Sequence, residues 1–220
     1  MMPTASCLLR LSRTPSRACS SKLSHIASRL PEYNRATTRA FHDTSRRLTA
    51  SSSSQQPTVL PEFSLKGKVI VVSGGGRGLG LVQSEALLEA GAAVHAIDLL
   101  EPSSEFAKVA DRAASELGSS FTYHRLNVRD NVLLNDTVAD IADRHGRIDG
   151  LIAAAGIQQE TPAVEYSQED CDRMMGVNVT GVFMTAQAVA RQMIKRKQGG
   201  SLVLIGSMSG TVANRGLICP

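Results

Sequence analysis

Eight residues, Ser73-Gly74-Gly75-Gly76-Arg77-Gly78-Leu79-Gly80, hold five glycines between the apolar β-branched run 69–72 and a helix-forming stretch that ends near Glu89. Glycine lets backbone N–H groups approach an anion unobstructed, and a helix that opens at such a turn adds partial positive charge, so the pattern suits a pyrophosphate. The next apolar run, 93–98, ends in Asp98, whose carboxylate suits the two hydroxyls of an adenosine ribose. Glycine turn and acid together point to a dinucleotide, with NAD favoured over a cofactor bearing a 2′-phosphate. Arg77 argues the other way, because a guanidinium inside the turn could meet that phosphate, so NADP stays open. A glycine-rich turn alone more often marks a tight loop; here strand, helix and acid agree with it.

These groups need elements to carry them. Residues 69–72 and 93–98 read as buried parallel strands around a helix, with Gly91 closing the helix, and the unit has the size of a βαβ crossover. Phe106, Val109, Ala110, Ala113, Ala114 and Leu117 then recur at helical spacing before Gly118. A strand is expected at 121–126, ending in Asn127-Val128. Leu134, Val138, Ile141 and Ala142 mark the next helix, with His145 as a capping residue in its last turn and Gly146 beyond. A fourth strand is expected at 148–155, and Ser167 with the acids after it reads as a helix start. That helix or helix pair runs toward Arg196, interrupted early by Asn178, with Val179, Val182, Phe183, Ala186, Ala190 and Met193 on one face. Residues 195–197 read as a solvated helix end. The fifth strand is 201–205, and Gly206-Ser207-Met208-Ser209-Gly210 follows at the carboxyl edge, where open α/β sheets bind ligands.

Length and charge narrow the field. The chain's 220 residues, 42% of them hydrophobic, suffice for one medium core, and its 4 cysteines do not make a disulfide framework. No stretch is long and apolar enough to span a bilayer. The net charge of +4 looks like a nucleic-acid signal until its distribution is read. Residues 1–61 hold nine basic and two acidic side chains, which leaves 15 basic and 18 acidic in the rest, a net of −3. An acidic folded part has no footprint for a phosphate backbone, so neither a nucleic-acid nor a membrane partner is expected. The Arg-rich, Ser-rich, acid-poor residues 1–61 read as a mitochondrial transit peptide and linker, with Arg39, Phe41 and Thr44 spaced like a two-step cleavage signal; a solvated disordered arm is the alternative. Residues 62–220 are the expected dinucleotide-binding domain.

Gly74, Gly78 and Gly80 fit G-x-x-x-G-x-G and no register of G-x-G-x-x-G. This spacing, opened by Ser73 where threonine is usual, resembles the short-chain dehydrogenase/reductase family. Asn127-Val128 stands where similar enzymes carry Asp-Val beside the adenine. Residues 153–156, Ala-Ala-Ala-Gly, occupy the place of Asn-Asn-Ala-Gly, with both asparagines replaced, and the resemblance implies that Ala155 and Gly156 lie close to the nicotinamide ribose. Met175-Gly176-Val177-Asn178-Val179 resembles the catalytic asparagine motif, whose side chain helps hold a proton-relay water. Ser207 matches the serine that hydrogen-bonds the reacting oxygen.

The resemblance implies a doubly wound parallel α/β sheet with strand order 3-2-1-4-5. It implies Asn178 and Ser207 as catalytic residues, and Ser73, Gly74, Arg77, Gly78, Leu79, Gly80, Asp98, Asn127, Val128, Ala155 and Gly156 at NAD or NADP, with no metal. Hydride transfer to or from a small alcohol or carbonyl follows, and residues 151–159 and 207–220 resemble fungal polyol dehydrogenases, so a polyol and ketose pair is the expected substrate. Full-length members are expected to be homo-oligomers. The family's general acid/base is a tyrosine with a lysine four residues later, at a distance from Ser207 that runs past Pro220. Tyr33, Tyr123 and Tyr166 have no lysine at that spacing. The expectation is therefore a chain truncated before its proton donor and its last strands. A dinucleotide-binding protein without catalysis, or a fragment that does not fold, remains as an alternative.

Overall fold

The computed structural model describes residues 60–210. The expected transit segment, its cleavage signal and the residues after Gly210 lie outside them. Strands β1 (Val69–Ser73), β2 (Ala93–Asp98), β3 (Phe121–Arg125), β4 (Gly150–Ala153) and β5 (Ser201–Leu204) form one parallel sheet in the order β3-β2-β1-β4-β5. This is the doubly wound order expected. The chain starts at β1, steps outward to β3 and crosses back to β4, so the carboxyl ends of β1 and β4 diverge at a crevice.

Alternation along each strand feeds two helical layers. Val69, Val71, Leu151 and Ala153 face α3 (Asn131–His145) and α5 (Val182–Lys195), packing with Leu134, Ile141 and Val189. Ile70, Val72 and Val94 face the other way, onto Leu88 of α1 (Gly78–Glu89) and Ala113 beyond α2 (Ser104–Arg112). Every residue of β1 is buried, as a strand covered on both faces requires. Each such apolar side chain contributes about 1.5–3 kcal/mol. Among the described residues no helix is long and apolar enough to cross a membrane.

Four local expectations are corrected. β4 is shorter than residues 148–155 because the ladder ends where the Ser73 hydroxyl, instead of a strand carbonyl, accepts from the Ala155 N–H. The helix after Ser103 begins earlier than the apolar repeat, capped by the Ser103 hydroxyl accepting from Phe106 N–H, and widens into a π turn over Ala113–Leu117. There the Ser115 hydroxyl takes the Asp111 carbonyl, a bond that competes with the helical ladder. The wider turn leaves Ala114 exposed although its spacing points inward. On α5 the buried face is Thr185, Ala188, Val189 and Met193, whereas Val179 and Phe183 are exposed. His145 is no cap: its Nε2 lies 2.8 Å from Nε2 of buried His95, whose Nδ1 lies 2.9 Å from Nε2 of His124.

The segment before α5 also differs from a broken helix. α4 (Gln168–Met175), capped by the Ser167 hydroxyl, runs through a π turn at Gly176–Gly181 directly into α5. Gly181 permits this approach, since a Cβ there would come within 2.7 Å of the Val128 side chain. Asn178 sits on the inner side of the widened turn, against the loop that follows β4.

Candidate active site

The glycine turn is shaped by two close approaches. Gly74 has φ +71°, and a Cβ there would lie 2.8 Å from the Ala155 Cα, so the turn can rest on the end of β4 only without a side chain. At Gly80 a Cβ would stand 2.1 Å from the Gly74 carbonyl oxygen, which keeps the first turn of α1 folded back on the loop. Arg77 is the N-cap residue of α1 in extended conformation, and its side chain makes no capping bond. The positive end of a twelve-residue helix is thus presented without a side-chain acceptor of its own.

A pocket of about 450 Å³ opens at this point. Ten of the eleven residues assigned above to the dinucleotide line it. The eleventh, Ser73, is fully buried beneath them and ties β1 to Ala155 at 3.3 Å. An uncapped helix start over a glycine cradle fits a pyrophosphate.

Asp98 stands opposite the turn with 11% of its side chain exposed. Its Oδ2 accepts from Gly76 N–H at 3.1 Å, and its Oδ1 lies 3.4 Å from the Leu100 nitrogen and 3.6 Å from Nη2 of Arg77. The carboxylate therefore braces the glycine turn while it faces the pocket, and Arg77 is paired to it. The Asn127 side chain closes its own turn, accepting from Arg129 N–H at 3.0 Å, while Asn127 and Val128 line the pocket wall.

A second cleft, about 380 Å³, adjoins the first across Ala154, Ala155, Gly156 and Ile157. Asn178 and Ser207 both line it, so residues 29 positions apart in sequence share one chamber. Asn178 Oδ1 accepts from Ile157 N–H at 2.8 Å, and its Nδ2 donates to the Ile157 carbonyl at 2.9 Å. Both ends of the amide thus hold the loop after β4. Ser207 lies beyond β5, exposed, with its Oγ accepting from Ser209 N–H at 3.1 Å. Sequence reasoning missed Ile157, Gly76, Ser103 and Tyr123 as partners of the site. Three of them act through backbone atoms or a cap, which residue type does not announce.

The order of the sheet, the crevice at its switch point and the uncapped helix over a glycine turn define an open, doubly wound α/β domain. Residues 68–219 match the family described as short chain dehydrogenase, and the chain belongs to that family. It is 35% identical over 167 residues to the ribulose-forming D-arabinitol 2-dehydrogenase of Candida albicans (strain WO-1), an alignment that covers 71% of this chain and 59% of that one. Galactitol 2-dehydrogenase of Rhizobium johnstonii is 39% identical over 155 residues, 70% of this chain and 58% of the relative. Among solved structures, a short-chain type dehydrogenase/reductase from Mycobacterium marinum superposes with a TM-score of 0.66 at 31% identity, covering 71% of this chain and 62% of that one. An NAD+-bound xylitol dehydrogenase gives 0.63 at 29% identity, covering 70% and 58%. The chain spans about three-fifths of the length of the curated relatives it matches.

Proposed function

We propose that this protein binds NAD, with NADP as the competing cofactor, at the glycine turn, as part of an oxidoreductase acting on a polyol and ketose pair. The observation that carries the reading is the uncapped start of α1 above a turn that tolerates no side chain at Gly74 or Gly80, with Asp98 facing it. Gly74, Gly78, Leu79 and Gly80 would hold the pyrophosphate and Asp98 the adenosine ribose. Asn127 and Val128 would flank the adenine, and Ala155 and Gly156 the nicotinamide ribose. When bound, the dinucleotide supplies hydride transfer at a carbinol or carbonyl carbon. Ser207 is the hydroxyl available to hydrogen-bond the reacting oxygen, and Asn178 fixes the loop that forms the wall between the two clefts. The polyol class is supported by relatives described as D-arabinitol, galactitol and sorbitol dehydrogenases.

A second reading has its own observation. None of the three tyrosines in the 220 residues has a lysine four positions later, so these residues bring no such pair to the second cleft. On this second reading the 220 residues would bind a dinucleotide without turnover. The two readings separate on one assay: the purified 220-residue chain, given NAD and D-arabinitol, galactitol or xylitol, should bind NAD and form no NADH above background. Turnover that is lost in Ser207→Ala would overturn the second reading and establish catalysis.

We also place the protein in the mitochondrial matrix, on the Arg-rich, acid-poor character of residues 1–61. A fluorescent reporter fused behind residues 1–61 should enter mitochondria, and cytosolic signal would contradict this.

A further inference from the structure

We propose that Tyr123 is a positioning residue that sets the choice between NAD and NADP, by holding Arg77 on Asp98 and fixing the 99–100 loop at the ribose end of the pocket. The proposal rests on the dinucleotide reading above. Tyr123 lies in β3 beside Ala96, two residues from the end of β2. Its ring meets Phe106 edge to face at 4.8 Å, and Phe106 in turn packs on Phe121 at 4.3 Å. An aromatic cluster of this kind leaves the ring one orientation. The hydroxyl at its tip donates to the Leu100 carbonyl at 2.5 Å, and Leu99 and Leu100 both line the dinucleotide pocket.

Three groups converge on the glycine before Arg77. A methyl group on Gly76 would stand 2.9 Å from the Tyr123 ring, 3.0 Å from its hydroxyl and 2.9 Å from Oδ2 of Asp98. The Gly76 N–H donates to Asp98, and its carbonyl accepts from the Ser103 hydroxyl at 3.2 Å. Arg77 therefore leaves a residue gripped on every side, and its guanidinium reaches Asp98 at 3.6 Å. Burial and the charge of Asp98 raise the Tyr123 hydroxyl above its ordinary pKa, while the charge and hydrogen bonding of Arg77 draw it part of the way back. The hydroxyl accordingly keeps its proton at neutral pH and stays a donor to Leu100.

The consequence is selective. A ribose 2′-hydroxyl can donate to Asp98, whereas a 2′-phosphate brings negative charge beside that carboxylate and needs a cation free to move onto it. Arg77 is the nearby cation, and Tyr123 with Asp98 withholds it. Replacing Tyr123 by phenylalanine keeps the ring in its cluster and the charges of the pocket unchanged, but releases Leu100 and loosens Arg77.

Dissociation constants of NAD and NADP for the 220-residue chain, measured by calorimetry for wild type, Tyr123→Phe, Arg77→Leu and the double variant, test the proposal. Wild type should prefer NAD. Tyr123→Phe should move the ratio of the two constants toward NADP by roughly tenfold, the upper size of one neutral hydrogen bond. In the Arg77→Leu background the same substitution should leave the ratio within about twofold, because the coupling partner is gone. Arg77→Leu alone should change NADP affinity by less than about threefold. Each ratio is taken on one protein, so partial loss of fold cancels from it. Equal weakening of both nucleotides, a shift that persists without Arg77, or a wild type that prefers NADP would overturn the role of Tyr123. Should Tyr123→Phe not fold, Arg77→Leu alone decides: a tenfold loss of NADP affinity would mean that Arg77 already serves the phosphate. A folded wild type that binds neither nucleotide would instead overturn the dinucleotide reading, and this proposal with it.

Discussion

β1 and β5 are built from closely similar apolar residues, and both pair with β4, yet they live in different environments. Val69, Ile70, Val71 and Val72 are at most 7% exposed, whereas Leu202, Val203, Leu204 and Ile205 are between 38% and 55% exposed. β1 has strands on both sides and helices on both faces; β5 hydrogen-bonds to β4 and to no other strand among the described residues. The difference follows the site. The glycine turn and Asp98 stand on the buried strands, the turn held by hydrogen bonds to the Ile97 carbonyl, the Asp98 carboxylate and the Ser103 hydroxyl, while Ser207 hangs from the uncovered one. An apolar run thus reports that a strand will be covered somewhere in a folded protein. It does not report which residues cover it.

The two strands meet β4 in register at the row Val71, Leu151 and Leu202, of which the first two are buried and the third is 41% exposed. Leu151→Ala in the buried part of the row should cost about 3 kcal/mol, read as a lowered urea midpoint, since a fully buried leucine leaves a cavity. Gly80→Ala should cost roughly 2 kcal/mol and weaken NAD binding at least tenfold, because the methyl must displace the Gly74 carbonyl. Equal stability losses for Leu151→Ala and Leu202→Ala would dissolve the comparison.

A third effect belongs to the buried half alone. Burial first, then His124, His145 and Arg144, lower the His95 pKa from 6.5 to about 3. Below pH 6.5 the unfolded chain takes up a proton that the native chain refuses until about pH 3. The stabilisation is therefore complete above pH 6.5 and is lost as pH falls toward 3, at up to about 1.4 kcal/mol per pH unit. Unfolding midpoints from pH 7 to 4 should fall more steeply for wild type than for His95→Leu; parallel curves would contradict this.

Smaller effects are expected nearer β5. Asn178→Ala removes both bonds to Ile157 and should cost about 1–2 kcal/mol. Ser207→Ala, on an exposed turn, should change stability by less than about 0.5 kcal/mol.

The strands and the placement of the glycine turn were legible in the sequence because each rests on residue type: β-branched runs at strand spacing, glycines where no side chain fits, an acid at a strand end; strand order followed only from the family resemblance that the turn's spacing carries. What was not legible depends on partners far away in sequence. His145 has the position and residue type of a helix cap, and only the return of the chain through α3 brings it to His95 on β2. Asn178 reads as a break in a helix, whereas a π turn lets the helix continue while the amide reaches Ile157. Val179 and Phe183 share a helical stripe with core residues, but a helix with two apolar faces does not declare which one meets the sheet. The bracing of Gly76 by Asp98, Ser103 and Tyr123 gathers residues up to 47 positions apart and leaves no local signal.

The most direct test of the account is a titration of NADH into the purified 220-residue chain. The sequence has no tryptophan, so nicotinamide emission can be followed with little protein background. Saturable enhancement that is displaced by NAD, from a chain that unfolds cooperatively, is the predicted result. Cooperative unfolding with no binding at millimolar NADH would contradict the claim that the glycine turn is a dinucleotide cradle.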